Sequence, residues 1–255
     1  MGVMNRWAAG NRRWLFIAGI VLGSIVLVGV AIILAFRDRA TPVSEEAVAA
    51  TLSVAPGSGH PGDPGLYRYT TTGFETTDAL GGARHDFPVE TYLTIQSGGC
   101  GTLVRWEALD QRWDEWEICA DGGLAGWDSY HQWYGVSNRD DWVCSEPIPT
   151  VGTPGDAWTG VCSTSDSDQT RVHEVVGFEM LAIAGEEIET RHLRVTSESV
   201  GKTRGTDTRD IWTLPGTPLV VRRIVNRTSV TDSPIGDVAY HEEYEVVPTS
   251  LQPRS

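Results

Sequence analysis

Apolar residues follow two different patterns along the 255-residue chain. Trp14–Phe36 is a continuous apolar run without a charged side chain. After residue 65, by contrast, residues such as Val89, Leu93 and Ile95 alternate with polar neighbours. A period of two is typical of strands that bury one face. The pattern therefore predicts one apolar helix followed by an all-β domain.

Turn residues divide the alternating region into short strands. Gly98-Gly99, Asp121-Gly122 and Pro215-Gly216 are among the turns that separate them. The predicted strands are 66–77, 87–97, 101–109, 111–120, 123–136, 140–146, 156–164, 169–184, 187–199, 205–213, 218–230 and 236–247. Because most connections are short, we expect a single antiparallel meander that forms a curved sheet or an open barrel.

The apolar run predicts a membrane anchor. About 20 apolar residues are enough for a helix to cross the hydrocarbon core of a bilayer. The arginines before the run are Arg6, Arg12 and Arg13, and the chain after it is acidic. This distribution favours a cytoplasmic amino terminus. A cleaved signal peptide is the alternative, but its apolar region is shorter, so an uncleaved anchor is predicted.

The anchor is predicted to lie in the plasma membrane and divides the chain into four segments. Residues 1–13 form a cytoplasmic tail, 14–36 a single-pass transmembrane helix, 37–65 a flexible tether, and 66–255 an extracytoplasmic all-β domain. Gly19 and Gly23 form a small-x-x-x-small pair that would suit a homodimer of helices. The alternative is that glycine is simply frequent in membrane helices.

The outer segment is strongly acidic. Residues 40–255 carry 33 of the 34 Asp and Glu and 15 of the 20 Lys and Arg, a net charge of 15 − 33 = −18. Nucleic acid and anionic lipid head groups are not expected as partners, because binding them requires cationic side chains that neutralise phosphates. Lys202 is the one lysine against 19 arginines. This bias is typical of a high-GC bacterial genome such as that of an actinobacterium.

The four cysteines predict two disulfides. Cys100, Cys119, Cys144 and Cys162 all follow the anchor, on its predicted extracytoplasmic side, where an even number of cysteines indicates disulfides. Three connectivities are possible, and sequential pairing is favoured. A zinc site is the alternative, but no two cysteines have the close spacing of zinc ribbons.

One strand register can be proposed around Leu109-Asp110. A two-residue hairpin there places Cys100 opposite Cys119. It also opposes Arg105 to Asp114, Glu107 to Arg112 and Trp106 to Trp113. The turn at Asp121-Gly122 opposes Trp116 to Trp127, Trp113 to Tyr130 and Glu115 to Asp128. The last pair puts like charges on a predicted core face, which requires a bulge, a solvated strand end or a functional cleft.

Aromatic side chains between Trp106 and Trp142 are the candidate ligand surface. The residues chosen are Trp113, Trp116, Trp127, His131 and Trp133. Such rings stack on sugars or line a lipid pocket, and the alternative is an aromatic core.

Acidic residues nearby offer a second hypothesis. Asp114, Glu115, Glu117 and Asp128 could supply the carboxylate pair of a carbohydrate-active hydrolase, or they could be solvated strand edges. The sequence contains no nucleophile elbow, phosphate loop or dinucleotide fingerprint. We therefore predict no catalytic residue, no cofactor and no metal ligand, and the motifs do not support an enzyme.

The last third of the chain resembles a known class of envelope protein. The segments are 175–179, 184–195 and 210–222, in which Trp212-Thr-Leu-Pro215 precedes a strand containing Val-x-Arg222. They resemble β-rich bacterial envelope proteins of the lipoprotein-carrier type. The resemblance implies a curved antiparallel sheet with one apolar concave face and assigns no functional residue. The helices that cover that face in the carriers are not apparent here.

Together these observations predict a membrane-anchored domain of the cell envelope that binds a protein, a glycan or a lipid without catalysis. The alternative is the extracytoplasmic hydrolase that would use the acidic residues near Trp113 to Asp128.

Overall fold

The computed structural model describes residues 38–52, 59–234 and 236–254. The predicted anchor 14–36, with Gly19 and Gly23, lies outside these residues, so the anchor and the four segment bounds stay predictions. Within the described part of the chain, no helix combines the length and the apolar character that a membrane crossing requires.

The fold is all-β, as the alternation predicts. A five-residue helix, α1 (Glu45–Ala49), precedes the strands, and one 3₁₀ turn (Ala79–Gly81) lies between the first two. The strands are β1 (Gly65–Thr77), β2 (Ala83–Asp86), β3 (Glu90–Gly98), β4 (Gly101–Leu109), β5 (Arg112–Cys119), β6 (Gly123–Trp133), β7 (Val136–Pro149), β8 (Ala157–Ser163), β9 (Ser167–Ile183), β10 (Glu186–Gly201), β11 (Thr203–Thr213), β12 (Val220–Ser233) and β13 (Gly236–Pro248).

The strands form one antiparallel sheet that closes on itself. From β3 to β13 each strand pairs with the next, and β1 pairs with β13 along one edge and with β3 and β2 along the other. Gly73 permits the closure, because a Cβ there would lie 2.2 Å from the carbonyl oxygen of Glu243 on β13. The closed ring creates an inner face that the strands share.

The register of the β4–β5 hairpin differs by one residue from the predicted one. Arg105 opposes Glu115 and Trp106 opposes Asp114, so Trp106 and Trp113 lie on opposite faces. The predicted pairs Arg105 with Asp114, Glu107 with Arg112 and Trp106 with Trp113 are therefore wrong. The reason is a register shift between Glu107 and Leu109, with the turn at Asp110-Gln111.

The β5–β6 register is the predicted one. Trp116 opposes Trp127, Trp113 opposes Tyr130, and Glu115 opposes Asp128. The predicted core placement of Glu115 and Asp128 is wrong. In the observed β4–β5 register Trp116, and not Glu115, is opposite the buried Val104, so Glu115 points to the outer face.

Two outer-face arginines accompany this acidic pair. Arg105 Nη1 lies 3.9 Å from Glu115 Oε2, and Arg139 Nε donates to Asp128 Oδ2 at 2.7 Å. Burial nevertheless raises the pKa of Glu115; Arg105 opposes this rise and Asp128 adds to it.

Both predicted disulfides are present. Cys100 is bonded to Cys119, with their Cα atoms 4.7 Å apart, and Cys144 is bonded to Cys162. The Cys100–Cys119 disulfide forms despite the register shift. Gly101 is the residue directly opposite Cys119, and Cys100, the next residue in the chain, is still close enough to bond to it. The second joins β7 to β8.

Residues within the predicted tether contact the sheet. Pro42 forms a bridge with Leu109, and Glu45 of α1 pairs with Arg68 and Arg254. Val48 is buried in a small cluster with Leu66 and Tyr92. These contacts hold α1 beside β1 and β3.

Candidate functional site

A row of polar side chains crosses the inner face of seven consecutive strands. Its members oppose one another in register from β9 through β13 to β1 and β2: Arg171, Ser197, Asp207, Arg227, Glu242, Glu75 and His85. We call this row the charged belt. All seven residues are buried or nearly so, so the belt places ionisable groups where water cannot solvate them.

Two glutamates of the belt face each other and share cations from across the interior. Arg112 Nε donates to Glu242 Oε1 at 2.9 Å and lies 3.7 Å from Glu75 Oε2. Glu75 also bonds His85 Nδ1 at 2.8 Å and His131 Nδ1 at 3.1 Å. Burial alone would raise the pKa of Glu75, but the hydrogen bonds from His131 and His85 lower it to about 2.

Asp114 is a second shared anion. Its two oxygens accept from Arg112 Nη1 and Nη2 at 2.8 and 2.9 Å, and Oδ2 also accepts from Arg223 at 3.3 Å. Burial alone would raise its pKa, but Arg112 and Arg223 hold the pKa well below the usual range. This carboxylate is therefore fully ionised and committed to two guanidinium groups.

A pocket lies on the inner face between the charged belt and the loops at one end of the strands. Its volume is about 340 Å³. At the loop end it is lined by Asp121, Gly122, Val151, Gly216 and Thr217. Its wall is apolar, with Trp116, Leu124, Trp127, Leu193, Val195 and Ile211, and its cations are Arg171, Arg191, Arg209 and Arg223. We call it the Arg171 pocket.

Arg171 is the cation of the belt whose hydrogen bonds all go to neutral groups. Its side chain is 3% exposed, donates from Nη1 to Gln169 Oε1 at 2.8 Å, and contacts His173 Nε2 at 3.5 Å. Burial and the nearby Arg209 lower its pKa to about 9, although Asp207 partly compensates. A buried cation in this state is under-neutralised.

His173 beside it is held in the neutral form. Its Nδ1 lies 3.1 Å from the carbonyl oxygen of Pro149, to which it donates, so Nε2 carries the lone pair that faces Arg171. Burial, together with the Arg171 charge, lowers the pKa of His173 to about 3. This histidine therefore adds no positive charge to the pocket near neutral pH.

Two guanidinium groups lie over the two tryptophans of the pocket wall. Arg171 is 4.1 Å from the ring centroid of Trp127, and Arg223 is 4.7 Å from that of Trp116. Because Trp116 and Trp127 are directly opposed on β5 and β6, the two cations lie over neighbouring rings. Arg223 keeps Nε and Nη1 without a hydrogen-bond partner.

Arg209 differs from these two, because it forms an ion pair with the neighbouring carboxylate of Asp207. Its Nε donates to Asp207 Oδ2 at 2.6 Å, and both side chains are buried. Of the four arginines in the pocket, Arg209 is paired with Asp207 and Arg223 shares Asp114, whereas Arg171 and Arg191 have neutral hydrogen-bond partners.

The predicted ligand-binding residues separate into three environments. Trp116 and Trp127 line the Arg171 pocket. Trp113 lies on the outer face, where it stacks on Tyr130 and under Arg105. His131 is bonded to Glu75, and Trp133 stacks on His85 at 4.0 Å beyond the belt.

The acidic residues of the hydrolase hypothesis do not meet. Asp114 faces the interior and is bound by Arg112, whereas Glu115, Glu117 and Asp128 point to the other face. A glycosidase needs two carboxyl groups that reach one bond, about 5 to 9.5 Å apart on one substrate. The observed division gives this set no common substrate position.

The arginines of the pocket and the charged belt were not predicted from the sequence. The available signal was charged residues that share one face of a strand, such as Asp207 and Arg209 on β11 or Arg223 and Arg227 on β12. These four residues are buried, whereas their neighbours Thr208 and Asn226 are exposed. One face of each strand in a closed sheet points inward. When both faces carry charged residues, the interior must therefore contain buried charges.

Comparisons with known proteins give two distant structural likenesses. One is YmcC of Escherichia coli, described as a hypothetical lipoprotein, with a TM-score of 0.32 and 12% identity over 78% of this chain and 94% of that one. The other is a candidate lipoprotein from Parabacteroides distasonis, with a TM-score of 0.31 and 10% identity over 75% of this chain and 96% of that one. No family model and no curated protein sequence matches the chain.

Proposed function

We propose that this protein binds a small amphiphile with an anionic head group in the Arg171 pocket and holds it without covalent chemistry. The observation that carries the proposal is Arg171 itself, a buried guanidinium with neutral hydrogen-bond partners next to an apolar wall. An anionic head group would supply the missing negative charge. The apolar body of the same molecule would contact Leu193, Val195 and Ile211.

The energetics favour an anion over a neutral ligand. Hydrogen bonds to charged groups contribute about 1.5 to 3 kcal/mol, roughly twice the value for neutral pairs. Arg171 has already lost its hydration in the folded protein, so the ligand alone must be desolvated on binding. Arg223, with Nε and Nη1 unpartnered, adds a second group that an anion would stabilise.

The size and lining of the pocket favour a lipid-like ligand over a glycan or a protein segment. A volume of about 340 Å³ lies near the lower end of the range for small-molecule sites. Its wall consists of indole rings and aliphatic side chains, which suit an alkyl body better than hydroxyl groups. The lipid alternative among the three predicted ligand classes is therefore the one we propose.

The predicted topology would place this pocket in the cell envelope. An anchor at Trp14–Phe36 would keep the domain at the outer side of the plasma membrane, and the two disulfides suit an oxidising compartment. In this setting the protein would receive or retain an amphiphilic acid close to the membrane.

Photo-crosslinking tests the proposal with a defined probe. The full-length chain, reconstituted in nanodiscs, would be irradiated with decanoic acid that carries a diazirine on its alkyl chain. We expect labelled peptides to contain Trp116, Trp127 or Leu193. We also expect Arg171→Gln to lower labelling about tenfold or more, as the loss of a charge-assisted hydrogen bond predicts.

Two further variants make the outcome decisive. Arg194→Gln changes an arginine on the outer face of β10, which pairs with Asp210, and should label like the native chain. Val195→Phe fills the pocket without changing its charge and should lower labelling as Arg171→Gln does. Equal labelling of all four proteins, or equal labelling by the matching diazirine decanol, would contradict the proposal.

A further inference from the structure

The Arg171 pocket has a second under-neutralised cation at its opposite end. Arg191 on β10 opposes Thr213 on β11, next to the loop that contains Gly216 and Thr217. Its Nη2 donates to the Thr213 hydroxyl at 3.1 Å, and its Nε is buried without a hydrogen-bond partner. Burial lowers the pKa of Arg191. Like Arg171, it has a neutral hydrogen-bond partner.

The two cations are separated along the strands. Arg171 opposes Ser197 on β10, which follows Arg191 by six residues. At about 3.3 Å per residue, these two positions on β10 are about 20 Å apart. Each guanidinium stays near its own row, because Arg191 bonds to its directly opposed residue and Arg171 bonds to Gln169 on its own strand.

The wall that β10 forms between the two cations is apolar. Arg209 and Arg223 also lie in this span, opposite Val195 and Ile211, and they are bonded to Asp207 and Asp114. Leu193 and Val195 are the inner-face residues of β10 between the two rows, and both line the pocket. Ile211 opposes Leu193 on β11. Along β10, the sequence of environments from the loops to the belt is therefore cation, aliphatic wall, cation.

We propose that the ligand of this pocket is a slender dianion with one acidic group at each end, of the class of α,ω-dicarboxylic acids. This inference rests on the proposed function and specifies its ligand. One carboxylate would meet Arg171 at the belt, and the other would meet Arg191 near Thr213. A volume of about 340 Å³ suits a single alkyl chain between them better than a lipid with several chains.

The acidic residue near the loop end does not neutralise Arg191 in this arrangement. Asp121 lines the pocket, and its Oδ1 accepts the backbone N–H of Gly123 at 2.9 Å, which commits it to the β5–β6 turn. On β9, the residue opposite Arg191 is Phe178, which is apolar and half exposed. The charge at the loop end is thus available to a ligand.

Calorimetry with two matched acids tests the inference. Dodecanedioate and dodecanoate would be titrated into the full-length chain in nanodiscs, with empty nanodiscs as the blank. We expect the native chain to bind the diacid about tenfold more tightly, since one further charge-assisted hydrogen bond is formed. Arg191→Gln should bring the ratio of the two dissociation constants close to one, and Arg171→Gln should weaken the binding of both acids.

Control variants separate the possible failures. Arg194→Gln, on the outer face of the same strand, should keep the native ratio, and Arg191→Met should repeat the effect of Arg191→Gln while keeping the aliphatic stem. Equal affinity of the native chain for the two acids, or an unchanged ratio in both Arg191 variants, would overturn the dianion inference but leave the anion pocket in place. Absence of binding by either acid would overturn the proposed function as well.

Discussion

The guanidinium of Arg171 lies 4.1 Å above the ring centroid of Trp127. A buried arginine usually has a carboxylate as its partner, and here an indole ring takes that place. Trp127 in turn stacks on Trp142 at 5.3 Å. A desolvated cation–π contact contributes about 2 kcal/mol, which is less than the several kcal/mol that burying an ion costs. The folded protein therefore tolerates a cation that it does not fully stabilise, and a ligand anion would remove this deficit.

Replacing Arg171 should stabilise the ligand-free protein. In Arg171→Met the buried charge disappears, while Gln169 Oε1 and His173 Nε2 each lose a guanidinium donor. Because removing the unneutralised charge outweighs these losses, we expect the free energy of unfolding to rise by about 1 to 4 kcal/mol. Arg209→Met should instead lower it by about 3 to 5 kcal/mol, because Asp207 would remain buried and unpaired. Urea unfolding of the full-length variants measures both. A loss of stability in both would contradict the idea that Arg171 is under-neutralised.

His173 should make the protein less stable as the pH falls below neutrality. The pKa of His173 is 6.5 in the unfolded chain and about 3 in the folded protein. Between these two pH values the unfolded chain binds a proton at His173 and the folded protein does not, which favours unfolding. The stabilisation is complete above pH 6.5 and is lost as the pH falls towards 3. Glu75, whose pKa falls from 4.5 to about 2, adds a further loss below pH 4.5.

A histidine variant isolates this effect. His173→Gln should flatten the dependence of the unfolding free energy on pH between about 6.5 and 4.5, which lies below the unfolded pKa of His173 and above that of Glu75. His60→Gln changes a histidine whose side chain is 79% exposed and should keep the native slope. The measurement is the urea midpoint at half-unit pH steps. Parallel curves for all three proteins would refute the assignment to His173.

The two disulfides should differ in their contribution to stability. Each closes a loop of similar length, which predicts about 3 kcal/mol on the chain-entropy account. Cys144–Cys162 also joins β7 and β8, which oppose each other only at Val143–Ser163 and at the disulfide itself. We therefore expect Cys144→Ser with Cys162→Ser to lower the melting temperature more than Cys100→Ser with Cys119→Ser. A larger loss for the Cys100–Cys119 pair would contradict this expectation, because β4 and β5 are also joined by a long ladder of backbone hydrogen bonds.

Local patterns were sufficient to predict the strands and part of their register. Alternation and turn residues located nearly every strand, and the Asp121-Gly122 turn predicted the pairing of Trp116 with Trp127. The β4–β5 register was missed by one residue because a register shift between Glu107 and Leu109 leaves no distinct residue type in the sequence. Short-range rules cannot place such a shift, since one extra residue exchanges the two faces of a strand.

The pocket could not be predicted, because β9 reverses the usual relation between polarity and burial. Arg171 is 3% exposed and His173 1%, whereas Val172 between them is 37% exposed. The rule that apolar residues face the core selects the wrong face of this strand. The polar residues can be buried only because β11, β12 and β13 bring compensating charges to the same rows, and these contacts join residues far apart in sequence.

The central claim, that Arg171 selects an anionic head group, is tested most directly by a head-group series. Decanoate, decanol and decylamine would be titrated by calorimetry into the full-length native chain, Arg171→Gln and Arg194→Gln in nanodiscs. We predict that the native chain and Arg194→Gln bind decanoate at least about tenfold more tightly than decanol and exclude decylamine, and that Arg171→Gln loses this preference. Equal binding of decanoate and decanol by the native chain, or a preference that survives in Arg171→Gln, would contradict the account.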